Sequence, residues 1–97
     1  MSNIPIKVSI IIPTFNRSKS LIRTIDSFAK QKKFKNFEII ISDNNSNDNT
    51  KDLVFEYIKR NKSVEIKYHF EKNQGVHFAR NSAAKISKGE ILYFTDD

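Results

Sequence analysis

The order of apolar and polar segments predicts an α/β protein built on a doubly wound, mostly parallel sheet, with strands in the spatial order 3-2-1-4. Four short apolar runs alternate with three stretches whose apolar residues recur at helical spacing, giving β-α-β-α-β-α-β. The connections between them are short, so successive crossovers are right-handed and their strands lie parallel. Polar, turn-rich segments follow strands one, two and four, which gathers them at one end of such a sheet.

Strand one is Val8-Ser-Ile-Ile-Ile-Pro13, a β-branched run ended by proline and of the kind buried on both faces. Helix one covers roughly Ser18 to Gln31, with Leu21, Ile22, Ile25, Phe28 and Ala29 on one face and Asn16 or Ser18 available to cap its start. Strand two is Phe37-Glu-Ile-Ile-Ile-Ser42. The cluster from Asp43 to Asn49 is dense in turn and cap formers, and one of its side chains is expected to cap the helix that follows. That second helix starts near Thr50 and turns Leu53, Val54, Tyr57 and Ile58 inward. Strand three, Val64 to Phe70, alternates apolar and polar residues, so it is expected to bury one face at a sheet edge and to point His69 outward. After Asn73-Gln-Gly75, Val76, Ala79, Ala83 and Ile86 form a third helical stripe, with Gly89 in the usual capping position beyond it. Ile91-Leu-Tyr-Phe94 is strand four and leads into Asp96-Asp97.

Composition narrows the function. At 97 residues the chain forms one small domain, short for an enzyme that handles two substrates. With no cysteine there is no disulfide and no thiolate chemistry, and two scattered histidines, His69 and His77, do not make a zinc site, so any metal would have oxygen ligands. Both histidines are expected to be structural or solvent-facing. Hydrophobic residues are 38% and charged ones 29%, as in ordinary soluble domains, and no apolar run approaches the roughly 20 residues of a membrane span. The amino end carries no export signal, so a cytoplasmic location is expected. The net charge of +6 comes from lysines spread along the chain; the one cluster, Lys30-Gln-Lys-Lys-Phe-Lys35, reads as a solvated helix end. No nucleic-acid motif accompanies that charge, so nucleic acid is not an expected partner. A non-enzymatic α/β nucleotide-binding module is a rival reading, although the two glycines, Gly75 and Gly89, form neither a Walker loop nor a Gly-x-Gly-x-x-Gly turn.

In doubly wound sheets ligands bind outside the carboxyl ends of the strands where the strand order reverses, here between strands one and four. Pro13-Thr14-Phe15-Asn16-Arg17, Asp43 to Asp48 and Asp96-Asp97 all lie at carboxyl ends. Backbone amides at helix starts favour phosphate, a carboxylate or amide reads a base or ribose edge, and strand-end aspartates hold a hard cation.

Four blocks in this order resemble the family 2 glycosyltransferases: Val8 to Arg17, Glu38 to Thr50, Asn73-Gln-Gly with Ala79-Arg-Asn81, and Gly89 to Asp97. The resemblance covers about Lys7 to Asp97 and implies the N-terminal, Rossmann-like half of a GT-A fold. It implies a base and ribose pocket lined by Pro13, Thr14 and Phe15, a diphosphate near Arg80, and Asn81 bracing the strand-end loops. Many relatives have two aspartates where this chain has Asp43 and Asn44, the second contacting the base. An amide both donates and accepts, so the departure leaves uridine, thymidine and guanosine diphosphate sugars (UDP, dTDP, GDP) all open as donors.

The family's Asp-X-Asp motif holds Mn²⁺ or Mg²⁺ on the diphosphate. Asp96 matches its first aspartate and Asp97 its middle position, so the chain is expected to be a partial domain interrupted within that motif. The resemblance further implies an inverting, metal-dependent transfer to a glycan or lipid-linked acceptor in cell-surface polysaccharide synthesis, with the complete protein in the cytoplasm or peripheral to the inner membrane face. The base that accepts the acceptor's proton is expected in the other half of the domain. Homo-oligomers are expected through the open edge of strand four.

Overall fold

The computed structural model describes residues 5–32 and 36–97, so the amino-terminal tetrapeptide and the Lys33-Phe34-Lys35 end of the basic run lie outside the described residues. Seven elements follow one another: β1 (Val8–Thr14), α1 (Ser18–Lys30), β2 (Phe37–Asp43), α2 (Thr50–Arg60), β3 (Glu65–Phe70), α3 (Val76–Ile86) and β4 (Ile91–Phe94). The sheet has the order β3-β2-β1-β4 and every pairing is parallel, in agreement with the doubly wound expectation. β1 and β2 each run one residue further than the sequence suggests, to Thr14 and Asp43, and these two residues are register partners. A missing N–H at Pro13 therefore does not end the strand.

The apolar runs of β1 and β2 are split between the two faces of the sheet. Ile10, Ile12, Ile39 and Ile41 form a core with Leu21 and Ile25 of α1 and Val54 and Tyr57 of α2, all buried. Ile11 and Ile40 face the other way, onto Ala83 of α3. Two helices thus cover one face and one helix the other, which is why these strands carry no polar alternation.

α3 follows its expected stripe only in the middle. Ala79 and Ala83 are fully buried, while Val76 and Ile86 at the helix ends are 49% and 39% exposed. Small residues let the helix lie close to the sheet, and its ends overhang. Nor does Gly89 cap α3: the helix ends at Ile86 with Ser87 in extended backbone, and Gly75 is the one glycine with positive φ among the described residues. Gly89 is instead required for space, because a Cβ there would lie 2.6 Å from the Ser9 nitrogen and 2.8 Å from the Val8 carbonyl carbon.

β3 sits at the edge as expected, but it does not expose one whole face. Ile66 and Tyr68 pack on the larger core, while on the opposite face Lys67 reaches Glu38 and the Ile86 carbonyl, and the His69 ring is half-buried with its Nε2 covered. α3 covers the polar side of the alternation, so alternation here marks two half-buried faces. β4 is exposed at all four positions, with Tyr93 set edge-on against Phe28 of α1 at 6.0 Å between ring centres. No helix among the described residues is long and apolar enough to cross a membrane.

Candidate functional site

At the carboxyl ends of β1 and β4 lies an open pocket of about 430 Å³ lined by Pro13, Thr14, Phe15, Arg17, Asn44, Val76, Asp96 and Asp97. Seven of these eight were candidates from the sequence. Val76 was not: it was assigned to a buried stripe, and its position as the first residue of α3, directly after Asn73-Gln-Gly75, is the signal that could have placed it at the strand ends.

The pocket exists because β1, β4 and the loop after β2 converge. Thr14 is buried at the last position of β1, and its hydroxyl donates to an Asp97 carboxylate oxygen. The Ser20 hydroxyl donates to the Asp97 carbonyl at 2.8 Å, and the Arg17 guanidinium lies 3.8 Å from the other carboxylate oxygen. Asp97 is thus fastened to β1 and to the start of α1. Asp96 is exposed beside it and makes no ion pair among the described residues. The Phe15 ring is 47% exposed and belongs to neither core cluster, so an apolar face opens into the pocket next to charged groups.

The loops around the pocket are cross-braced. Asn16 takes positive φ, accepts the Asn47 N–H on its side-chain oxygen at 2.9 Å, and donates its own N–H to the Ser46 hydroxyl at 2.8 Å. It ties the loop after β1 to the loop after β2 and does not line the pocket. Neither Asn16 nor Ser18 caps α1; its first residue is preceded by Arg17 with no side-chain cap, and Ser18 donates instead to Asn49. At α2 the N-cap residue is Asn49, which makes no side-chain cap bond; Asp48, one residue earlier, accepts both the N–H and the hydroxyl of Thr50, the first residue of the helix. Those bonds, against the opposing effect of burial, hold the Asp48 carboxyl below its ordinary value.

Asp43 is buried, and both carboxylate oxygens are engaged: one accepts the Ser46 N–H at 3.0 Å, the other the Tyr68 hydroxyl at 2.5 Å. Burial, with the Asp43 charge beside it, pushes the Tyr68 phenol well above its ordinary value. Asp43 therefore stands behind the pocket. Asn44 is also mostly buried but lines it. Arg80 and Asn81 are exposed on α3 and line no part of the pocket. His77 stacks on Phe78 at 4.2 Å, also away from it.

As to a metal, no group of three His, Cys, Asp or Glu gathers among the described residues. Asp96 and Asp97 offer only oxygen donors, which suits a hard cation that completes its shell with phosphate oxygens and water.

The profile of the family described as glycosyl transferase family 2 matches residues 9–97. Over 93 residues the chain is 41% identical to the GalNAc(5)-diNAcBac-PP-undecaprenol beta-1,3-glucosyltransferase of Campylobacter jejuni, covering 94% of this chain and 29% of that protein. Staphylococcus aureus TarS 1-349 in complex with UDP-GlcNAc superposes with a TM-score of 0.81 at 35% identity, over 93% of this chain and 26% of that one. A mannosyltransferase from Pyrobaculum calidifontis, solved in complex with GDP-Man and Mn²⁺, shares the fold with a TM-score of 0.88 at 24% identity, over 97% and 28% of the two chains. The chain spans less than a third of the length of each of these proteins. With the family profile running from the second residue of β1 to Asp97, this chain belongs to glycosyl transferase family 2.

Proposed function

We propose that this chain is the nucleotide-sugar-binding part of a glycosyltransferase whose complete form moves a sugar from a nucleoside diphosphate to an acceptor hydroxyl. The observation that carries the reading is the convergence of Phe15, Asn44, Arg17 and the Asp96-Asp97 pair on one pocket at the strand-order reversal. An exposed ring for the nucleoside, a cation for the diphosphate and two carboxylates supply the parts such a ligand needs. Pro13 and Thr14 contribute to the pocket lining. Asp43, Asn16 and Asn81 are supporting residues in this reading, and Arg80 reaches the ligand only through movement of its long side chain.

A divalent cation, Mn²⁺ or Mg²⁺, would be held by Asp96 with help from Asp97 and would supply charge stabilisation to the departing diphosphate. The chain's own residues bind and orient the donor. The group that accepts the acceptor's proton lies elsewhere in the complete domain, so the 97-residue chain is expected to transfer no sugar. UDP-GlcNAc in TarS and the lipid-linked acceptor in the name of the Campylobacter relative favour a UDP-sugar donor and a glycan or lipid-linked acceptor at a cytoplasmic membrane face. Self-association through β4 belongs to the same reading.

Calorimetric titration with UDP, dTDP and GDP, each with and without Mn²⁺, tests it. Saturable binding of one nucleotide, strengthened by Mn²⁺, is expected; heat of dilution alone for all three overturns the pocket assignment.

A further inference from the structure

We propose that Asn44 is a positioning residue that latches the loop between β3 and α3 to the end of β2, and that it does not read the nucleotide base. The idea rests on the nucleotide-binding reading of the pocket above, but the latch has a test of its own.

The Asn44 side chain is nearly used up within the protein. Its Nδ2 donates to the Asn73 carbonyl at 2.6 Å and, more weakly, to the Glu71 carbonyl at 3.4 Å, while its Oδ1 accepts the Gly75 N–H at 2.9 Å. A side-chain amide has two N–H donors and one oxygen acceptor, so both donors are committed and one lone pair remains. Its backbone is fixed as well, by its N–H to the Thr14 carbonyl at 2.8 Å and by Gln74 Nε2 to its carbonyl at 3.1 Å. An amide that discriminates among bases does so with a free donor beside a free acceptor, and Asn44 keeps a single acceptor lone pair and no free N–H.

The loop that it holds is built to be held. Glu71 donates its N–H to the Asp43 carbonyl at 2.7 Å, and its carboxylate accepts the Asn73 N–H at 3.0 Å and the Ser82 hydroxyl. Gly75 stands at φ 131, where a side chain is disfavoured, and a Cβ there would come within 3.1 to 3.3 Å of His77 and Phe78. The next residue, Val76, is pocket wall. The latch therefore sets where that wall stands. It also explains an amide at this position: an aspartate would face the Asn73 and Glu71 carbonyls with acceptors only, losing two bonds and adding repulsion.

The test uses the 97-residue chain with Asn44→Asp and, should that variant fail to fold, Asn44→Ser. Amide hydrogen exchange at Gly75 reads the latch without any ligand. Slow exchange is expected in the native chain and at least roughly tenfold faster exchange in the variants, as loss of a bond worth about 1.4 kcal/mol gives. Calorimetry then reads the consequence: affinity for every nucleotide that binds falls by a common factor and the preference among UDP, dTDP and GDP is unchanged. Unprotected Gly75 in the native chain, equal exchange in native and variant chains, unaltered affinity in the variants, or a changed preference among the nucleotides would each overturn the proposal. A native chain that binds no nucleotide refutes the pocket reading, while Gly75 exchange still decides the latch.

Discussion

Glu38 is an acidic residue in the middle of an apolar strand, fully buried where three chain segments meet. Its Oε2 accepts the Ser9 hydroxyl and the Lys88 N–H, each at 2.6 Å, and Lys67 Nζ stands 2.9 Å from Oε1. Burial alone would raise its proton affinity, but the Lys88 amide, the Ser9 hydroxyl and the Lys67 ammonium outweigh it and hold the carboxyl below the ordinary value of 4.5. A lowered folded-state value means the stability from ionised Glu38 is fully present above that ordinary value and is lost as pH falls through the folded-state value. Glu38→Gln should cost about 2 kcal/mol at pH 7, because the half-buried Lys67 loses the nearer of its two counter-charges and keeps only Glu65 at 3.9 Å, and should flatten the fall in denaturation midpoint on acidification. Urea titrations of both chains from pH 7 to pH 3 measure it. The adjacent aspartates are expected to differ in use: Asp97 is tied to Thr14 and Arg17, whereas Asp96 is exposed and makes no ion pair among the described residues. Asp96→Asn should therefore remove most of the Mn²⁺-dependent gain in nucleotide affinity, about tenfold, and leave metal-free binding as it was. Equal loss with and without metal, read by calorimetry, would place Asp96 on the nucleotide itself.

Among the elements, the start of β4 is the most tightly specified. Gly89 lies against Ser9 and donates its N–H to the Ser9 hydroxyl at 2.8 Å, the hydroxyl that in turn donates to Glu38. The obstructing atoms are mostly backbone, so no rotamer change makes room. Gly89→Ala is expected to cost about 3 kcal/mol and to loosen β4 from β1, seen as a lower thermal midpoint and faster amide exchange at Ile91 and Thr95, whose N–H groups donate to the Lys7 and Ile11 carbonyls. Helix periodicity located α1 and α2 well, since Leu21, Ile25, Val54 and Tyr57 are the buried positions of amphipathic faces. It overreached on α3, where the buried positions are two alanines. Caps were less legible. Asn16 is a good cap former by type, yet its side chain bonds across 31 residues to Asn47, a choice that exists only once β1 and β2 lie side by side.

At the level of the whole molecule, one sheet edge is covered in charge and the other is not. β3 carries Glu65, Lys67 and His69, whereas β4 presents Ile91, Leu92, Tyr93 and Phe94, all 38% exposed or more. An unpaired apolar edge favours pairing with another strand. The chain is expected to sediment as a concentration-dependent dimer, and Leu92→Lys should shift it to monomer at the same concentration; a native chain that stays monomeric at high concentration refutes this. Strand order, parallel pairing, the two-faced burial of β1 and β2 and the end of the sheet where polar loops gather were all determined by the sequence, because hydrophobic period and short connections leave one right-handed arrangement. What the tertiary structure alone decided is how individual polar side chains are used. Asp43 turns to Tyr68, Asn44 to Gly75 and Asn73, Asp97 to Thr14, and Gly89 makes room for Ser9. Period and propensity act over neighbouring residues, whereas a buried hydrogen-bonding group takes whichever partner the completed fold brings within about 3 Å, at any distance along the chain.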